Sequence, residues 1–487
     1  MQYVTRILAR NSAPFRVGRG VHQVERGLNR LSSHRRAIMA GMPTLHEPAR
    51  ETPVWHECDV CVIGGSCTGV FAAIRAARMG AKVVLVERGG AFGGVATLSL
   101  VNVWHSPLDT VFEKPIIGGL TLELMNRLKS RNVVTEQERS PAWAWAFNPY
   151  EMMLALDQLV LEHQIKPLLH SMVVQPLVEG DRVTAVVVEN KSGRGAIRAR
   201  YFIDASGDGD VAHRAGSACY YAEHLQPSTT CAIMEGWDSI KPADIGALIR
   251  DHRAEYDLPL GFAWGANLPQ SQLYMLAGTR VQGLDPSNGD ELTQSEIEGR
   301  RQVRAFLDII KKYVPQAKVN LVGLPARIGL RESRHVKCQY QLTGNDVLHG
   351  KRFDDAIANG SYRVDIHHSD KPGLTFQYLD GTASYLVPGE PAVQGRWREP
   401  IENDPTFYQI PYRSMLPGTF ANLLIAGRMI DADTPAHAAI RVMVNMNQTG
   451  EAAGVASVLA MRSTNDVRTI DIPALRNTLA DGGSIII

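Results

Sequence analysis

The first coherent pattern of apolar and polar positions runs from Asp59 to Thr97. A short apolar run, Val60 to Ile63, reads as a strand and meets the turn Gly64-Gly65-Ser66-Cys67-Thr68-Gly69. A helical pattern follows to Met79 and Gly80, with Val70, Ala73, Ile74 and Ala77 on one face. A second strand, Lys82 to Val86, ends at Glu87. Farther along, an apolar-rich helix is predicted over Tyr150 to Leu161. Alternation then predicts strands over Ser171 to Leu177 and Val183 to Glu189 around the turn Glu179-Gly180-Asp181, and over Ala196 to Tyr201. Near the C-terminus, Asn422 to Ala426 reads as a strand entering a turn at Gly427 and Arg428, and a helix of small residues is expected to open at Asn447 and run to Met461. Strands interleaved with helices predict an α/β fold.

The order strand, glycine turn, helix, strand, acid is that of a dinucleotide-binding βαβ unit. Gly64 permits the tight turn, Gly69 lets helix and strand approach, and the helix N-terminus at Gly65, Cys67 and Thr68 offers free N–H groups to a diphosphate. Ser66 stands where the fingerprint has its second glycine, and its hydroxyl can donate to a phosphate oxygen. Glu87, 23 residues after Gly64, can accept from ribose hydroxyls. After it comes a glycine-dense loop, Arg88-Gly89-Gly90-Ala91-Phe92-Gly93-Gly94-Val95-Ala96-Thr97, where a nicotinamide-type unit would proceed to another helix. Such a loop lets a flavin pass close to the backbone, which favours FAD over NAD.

With these residues the chain resembles the FAD-dependent oxidoreductases of the two-dinucleotide-fold, glutathione-reductase-like type. More specifically, it resembles the bacterial FAD-dependent oxidoreductases related to the fumarate reductase and succinate dehydrogenase flavoproteins. The resemblance recurs at Asp204-Ala205-Ser206-Gly207-Asp208-Gly209-Asp210 and again at Gly427, Arg428 and Gln448-Thr449-Gly450. It implies that Ala205, Ser206, Gly207, Asp208, Gly427, Arg428, Gln448, Thr449 and Gly450 line FAD, and that Val173 contacts the adenine through its backbone. It further implies a discontinuous Rossmann-like FAD/NAD(P)-binding domain, residues 51–222 and 416–465, around an inserted α+β substrate or capping domain, 223–415, with a tail at 466–487. In that insert, Arg327-Ile328-Gly329-Leu330-Arg331-Glu332-Ser333-Arg334 and Tyr408-Gln409-Ile410-Pro411-Tyr412-Arg413-Ser414 resemble family segments. Arg331, Arg334 and Arg413 can fork onto a carboxylate or phosphate, while Arg331, Glu332 and Arg334 can equally form an internal ion-pair network. His437 and Arg441, four residues apart, point the same way if helical, in a region where related enzymes hold substrate carboxylates. His105 is the other candidate base, or a covalent flavin anchor. Noncovalent FAD is expected, because the covalent histidine of fumarate reductase relatives falls nearer Gly94 and Val95.

Composition narrows the function. The 487 residues are 45% hydrophobic and 21% charged, those of a globular chain, and the net charge of +1 removes any whole-chain case for a nucleic-acid binder. Eight arginines and one acid, Glu25, fall between Met1 and Ala40, leaving 43 basic and 49 acidic residues beyond them. Residues 1–50 therefore read as a disordered basic leader: a transit peptide, an over-long translation start before Met39 or Met42, or a surface arm. No run approaches the roughly 18 apolar residues of a membrane span. Six cysteines in a chain this long make no disulfide framework, which suggests a cytoplasmic protein, or an organelle matrix one if the leader is a transit peptide. Cys58 and Cys61 sit three apart on a strand and so face opposite ways, His367 and His368 diverge, and Asp204, Asp208, Asp210 and Glu223 lack EF-hand spacing, so no metal is expected. The expected activity is hydride transfer between a small polar or anionic substrate and flavin N5. The electron acceptor would be oxygen, a quinone or a carrier protein, and the oligomeric state stays open. An NAD-dependent dehydrogenase built on the same βαβ unit, or a catalytically silent flavin binder, are the alternatives.

Overall fold

Residues 43–137, 144–240, 242–261 and 263–487 are described by a computed structural model. The Arg-rich stretch 1–42 lies outside them, and residues 43–51 are exposed without regular structure. Thr52–Ile487 form one compact unit.

The central sheet begins with β1 (Val54–Ile63), whose last four residues are fully buried. They are apolar on both faces because β1 is flanked by parallel partners. The helix α1 (Cys67–Arg78) crosses from β1 to β2 (Val83–Val86), with Val60 paired to Val83 and Ile63 to Val86. The short β3 (Lys166–Leu168) extends the sheet beyond β2. A hairpin, β4 (Met172–Glu179) and β5 (Arg182–Asn190), closes its other side. The strand expected over Ala196 to Tyr201 is longer, β6 (Gly193–Asp204), because it serves two neighbours in turn along one edge. Gly193 to Arg198 pair antiparallel with β5, and Phe202 to Asp204 pair parallel with β7 (Leu423–Ile425). The order is β3-β2-β1-β6-β5-β4, with β7 beside the second half of β6. A segment more than 200 residues downstream thus returns to the same sheet.

Between β6 and β7 lie separate antiparallel sheets, which make the whole a mixed α/β architecture with a Rossmann-like sheet. The strand Cys231–Glu235 is buried on both faces: Cys231 and Ile233 pack with Leu100 and Val103, while Ala232 and Met234 pack with Val303 and Phe306 of the long helix α2 (Gly289–Tyr313). This sheet therefore joins α2 to the loop after Gly94. No helix among the described residues is long and apolar enough to cross a membrane.

The chain ends in three helices, α3 (Thr434–Ile440), α4 (Met443–Arg462) and α5 (Ile472–Asp481). α4 starts at Met443, one turn before the expected Asn447. Its glycines serve contact with α1: a Cβ on Gly450 would lie 2.0 Å from the Thr68 carbonyl oxygen, and one on Gly454 2.3 Å from that of Ala72. A buried ion pair locks the crossing, with Arg75 Nε donating to Glu451 at 2.7 Å. Residues 466–487 are a packed segment and not a loose tail. Leu475 and Leu479 are buried, and the carbonyls of Ile485 and Ile487 accept from Asn359 and Gln409.

Candidate cofactor and substrate site

The C-terminal ends of β1, β2, β6 and β7 open onto a cavity of about 570 Å³, within the usual range for small-molecule sites. Gly64, Ser66, Cys67 and Thr68 line it where β1 turns into α1. Gly64 has φ +104°, and a Cβ there would lie 2.2 Å from the Ala205 carbonyl oxygen, so only glycine fits. Ser66 is the N-cap of α1: its Oγ accepts from the Gly69 N–H at 3.5 Å, and its own hydroxyl proton stays free to donate. Gly65 and Gly69 shape the turn without lining it. The Gly65 N–H donates to Glu87 Oε2 at 2.7 Å, and a Cβ on Gly69 would lie 1.8 Å from the Gly64 oxygen. Glu87 lines the cavity and clamps both glycine loops, its other oxygen accepting from the Gly89 N–H at 2.7 Å.

In the second loop Gly93, Gly94 and Val95 line the cavity, whereas Ala96 and Thr97 stand behind it, the Thr97 hydroxyl donating to the Phe92 carbonyl at 2.6 Å. Val173, Ala205, Ser206, Gly207, Gly427 and Arg428 also line it. Asp208 does not, contrary to expectation. It is buried and accepts from Arg428 at 2.5 Å and Ser333 at 2.7 Å, with Arg88 at 3.7 Å. Burial alone would raise its pKa, but Arg428 and Arg88 outweigh burial and hold it below the usual value. Arg327, to which the sequence assigned no role, sits 3.7 Å from Glu87. Three guanidiniums, of Arg88, Arg327 and Arg428, thus face two carboxylates beside the α1 N-terminus.

Gln448, Thr449 and Gly450 do not line the cavity either. Because α4 begins one turn early, Val442, Met443, Met446 and Asn447 form that wall. Gln448 exchanges hydrogen bonds with the backbone of Asn359, Thr449 Oγ1 accepts from the Gly427 N–H at 3.1 Å, and Gly450 abuts α1. These features suit FAD. The glycines at 64 and 94 leave backbone open where a Cβ would collide, and a cation excess meets the α1 N-terminus. Among the described residues, the buried atoms Arg428 Nε and Asn447 Oδ1 of this lining are among those without a hydrogen-bond partner.

The remaining wall holds Arg280, Arg331 and Arg441, with His105, Tyr362, Asp365 and His367. Arg331 is half-buried, its guanidinium donating to the Pro227 carbonyl and Thr229 hydroxyl. Burial first, then Arg280 and Arg441, pull its pKa well below the usual range, and burial draws Arg280 to about 10. Arg441 Nη2 lies 3.3 Å from Asp365, which also accepts from the Tyr362 hydroxyl at 2.8 Å and faces His367 Nε2 at 3.2 Å. Burial opposes ionisation of Asp365, but the nearby His367, Arg441 and Arg363 outweigh it and hold the carboxyl low. His105 stacks on Tyr362 at 4.2 Å, and burial lowers both His105 and His367 to about 3, so each imidazole is neutral. No motif or spacing in the sequence marks Arg280, Tyr362 or Asp365, and His367 stands out there only beside His368, as an unlikely metal pair.

The structure separates the paired candidates. Arg331 faces the cavity, whereas Arg334 is spent on the Asp208 carbonyl at 3.2 Å and on Asp210 at 3.5 Å. Of His437 and Arg441, one helical turn apart, only Arg441 lines the cavity. His437, 1% exposed, turns into the core, where Nε2–H donates to the Arg331 carbonyl at 3.1 Å. Arg413 forks onto Asp355 outside the cavity, and His368 bonds Thr375.

A family model described as FAD dependent oxidoreductase matches residues 59–479. The mitochondrial dihydrolipoyl dehydrogenase of Schizosaccharomyces pombe is 31% identical over 87 residues, 16% of this chain and 17% of that protein, so the chain spans less than a fifth of this curated relative. Among solved structures, the geranylgeranyl bacteriochlorophyll reductase-like protein of Thermoplasma acidophilum is 12% identical over 88% of this chain and 84% of that one, with a TM-score of 0.46. The flavin-dependent brominase Bmp2 is 10% identical over 87% and 83%, with a TM-score of 0.42.

Proposed function

The chain belongs to the FAD-dependent oxidoreductase family, and on that premise we propose that it moves a hydride between FAD and a small substrate carrying a carboxylate or like anion. One observation carries the substrate class: Arg331 and Arg441, both half-buried, line one cavity beside Asp365, which Arg441 approaches to 3.3 Å. Guanidiniums drawn partly out of water favour a bound anion. FAD, when bound, supplies N5 as the hydride partner. Its diphosphate would be held by Arg88, Arg327, Arg428 and the α1 N-terminus, and its ribose by Glu87.

Guanidinium forks orient the substrate anion and fix the reacting carbon. His367 is the better base. Its Nε2 faces Asp365 Oδ1 at 3.2 Å, so the carboxylate would stabilise the imidazolium formed when the ring takes a proton. His105 has no carboxylate partner and serves as the alternative. Residues 51–222 with 416–465 would hold FAD, and 223–415 would cap the substrate, in keeping with the resemblance to fumarate reductase relatives.

Anaerobic mixing of the flavin-loaded protein with hydroxy acids, amino acids and dicarboxylates tests this, against neutral alcohols, amines and sugars. Bleaching by anions alone supports the reading, and bleaching by neutral compounds alone refutes it. Bound FAD that dithionite reduces and no compound bleaches would mark a silent flavoprotein.

A further inference from the structure

Behind the arginine wall, Glu332, His335 and His437 form a buried cluster that the proposed reaction does not use. One ligand-capable atom from each lies within 4.8 Å of the others. The hydrogen bonds around them fix which lone pairs face inward. His335 Nδ1 lies 3.3 Å from the Ile430 carbonyl, which only accepts, so Nδ1 carries the proton and donates. His437 Nε2 likewise donates to the Arg331 carbonyl at 3.1 Å. Two bare acceptors then meet: His335 Nε2 and Glu332 Oε1, 3.2 Å apart. His437 Nδ1 is buried and has no partner.

A second proton on His335 would satisfy the first contact as an ion pair and still leave His437 Nδ1 unpaired. A cation satisfies all three atoms. Histidines that give one N–H to a backbone carbonyl and keep the other nitrogen for a metal are the usual outer-shell arrangement. A separation of 3.2 Å suits two ligands on one zinc ion, whose Zn–N and Zn–O bonds are about 2.0–2.2 Å. Glu332 Oε2 is fixed by the Gln226 N–H at 2.9 Å, and Tyr220, stacked on His335, donates to the nearby carboxylate of Asp431.

We propose that Glu332, His335 and His437 supply three ligands to a zinc ion, with water as the fourth. The ion would tie the segment carrying Arg331 to α3, and so hold both Arg331 and Arg441 in place at the cavity.

The test is metal content by mass spectrometry on flavin-loaded protein, incubated with zinc and desalted. Wild type should keep about one zinc per chain, and Glu332→Gln and His335→Gln should keep less than about a tenth of that. His368→Gln, outside the cluster, should match wild type. Chelation should lower the thermal midpoint of wild type, and added zinc should restore it. Zinc at background in wild type, or equal zinc in the two ligand variants, overturns the proposal. Should the variants fail to hold flavin, competition of wild type against a chromophoric chelator decides: zinc surrendered at once refutes the site.

Discussion

Replacing Arg331 by Met removes one cation from the cavity while keeping an unbranched stem. Two opposed effects act on stability. The Pro227 carbonyl and Thr229 hydroxyl lose their donor, each at about 1–3 kcal/mol if left unsatisfied. Against this, a half-buried guanidinium is removed from beside Arg280 and Arg441, which together with burial depress its pKa. Folding stability should therefore change little. Anion binding has no such compensation. A hydrogen bond from a charged donor is worth about 1.5–3 kcal/mol, so a small carboxylate that uses Arg331 should bind about 10- to 150-fold more weakly. The assay is titration of flavin-loaded protein with small mono- and dicarboxylates, read from the flavin absorbance, beside the matching neutral amides. The acids should lose affinity and the amides should not. Equal losses for acid and amide, or carboxylate affinity unchanged by the substitution, would refute an anionic substrate held by this wall.

Three other perturbations have definite expected outcomes. Arg428→Met removes a guanidinium that lines the FAD cavity and neutralises Asp208, so FAD affinity should fall by about tenfold or more, measured by fluorescence of released flavin; full retention would show that the cation excess does not hold the cofactor. Burial keeps His105 and His367 at about 3 while the unfolded chain titrates near 6.5, so the unfolded state binds more protons between those values. Stability is complete above about pH 6.5 and falls on acidification by up to about 1.4 kcal/mol per pH unit for each histidine; His367→Gln should flatten that slope, and denaturation midpoints from pH 7.5 to 5 read it. Gly450→Ala forces a Cβ to 2.0 Å from the Thr68 oxygen and should cost at least about 1–3 kcal/mol together with flavin. Gly180→Ala, in open space with φ +60°, should cost only backbone strain of about 1–2 kcal/mol and retain flavin, so equal flavin loss in both would contradict the helix-contact argument.

The nucleotide-binding turn was legible because its parts lie close in the chain and each residue acts through its neighbours. Gly64, Ser66, Gly69 and Glu87 are a strand end, a cap, a packing glycine and an acid, and their spacing alone implies contact. The second flavin wall was misread for a local reason. α4 starts after Val442, which offers no capping side chain, so no Ser, Thr, Asp or Asn marked the start, and Gly450 drew attention instead. A glycine reports close approach without naming what approaches, and here it is α1. Helical spacing likewise grouped His437 with Arg441, and the backbone keeps that spacing, but the His437 ring is taken up by the Arg331 carbonyl while the Arg441 guanidinium reaches Asp365. Arg280 and Asp365 come from segments whose meeting depends on register across 85 residues, and in the chain they look like any arginine or aspartate near a strand. Charge unites these results. A formal charge of +1 divides into local clusters, with Arg88, Arg327 and Arg428 around Glu87 and Asp208, and Arg331 and Arg441 beside Asp365. Cations drawn partly out of water favour an anionic partner, so the proposed function would put a diphosphate at the first cluster and a substrate anion at the second.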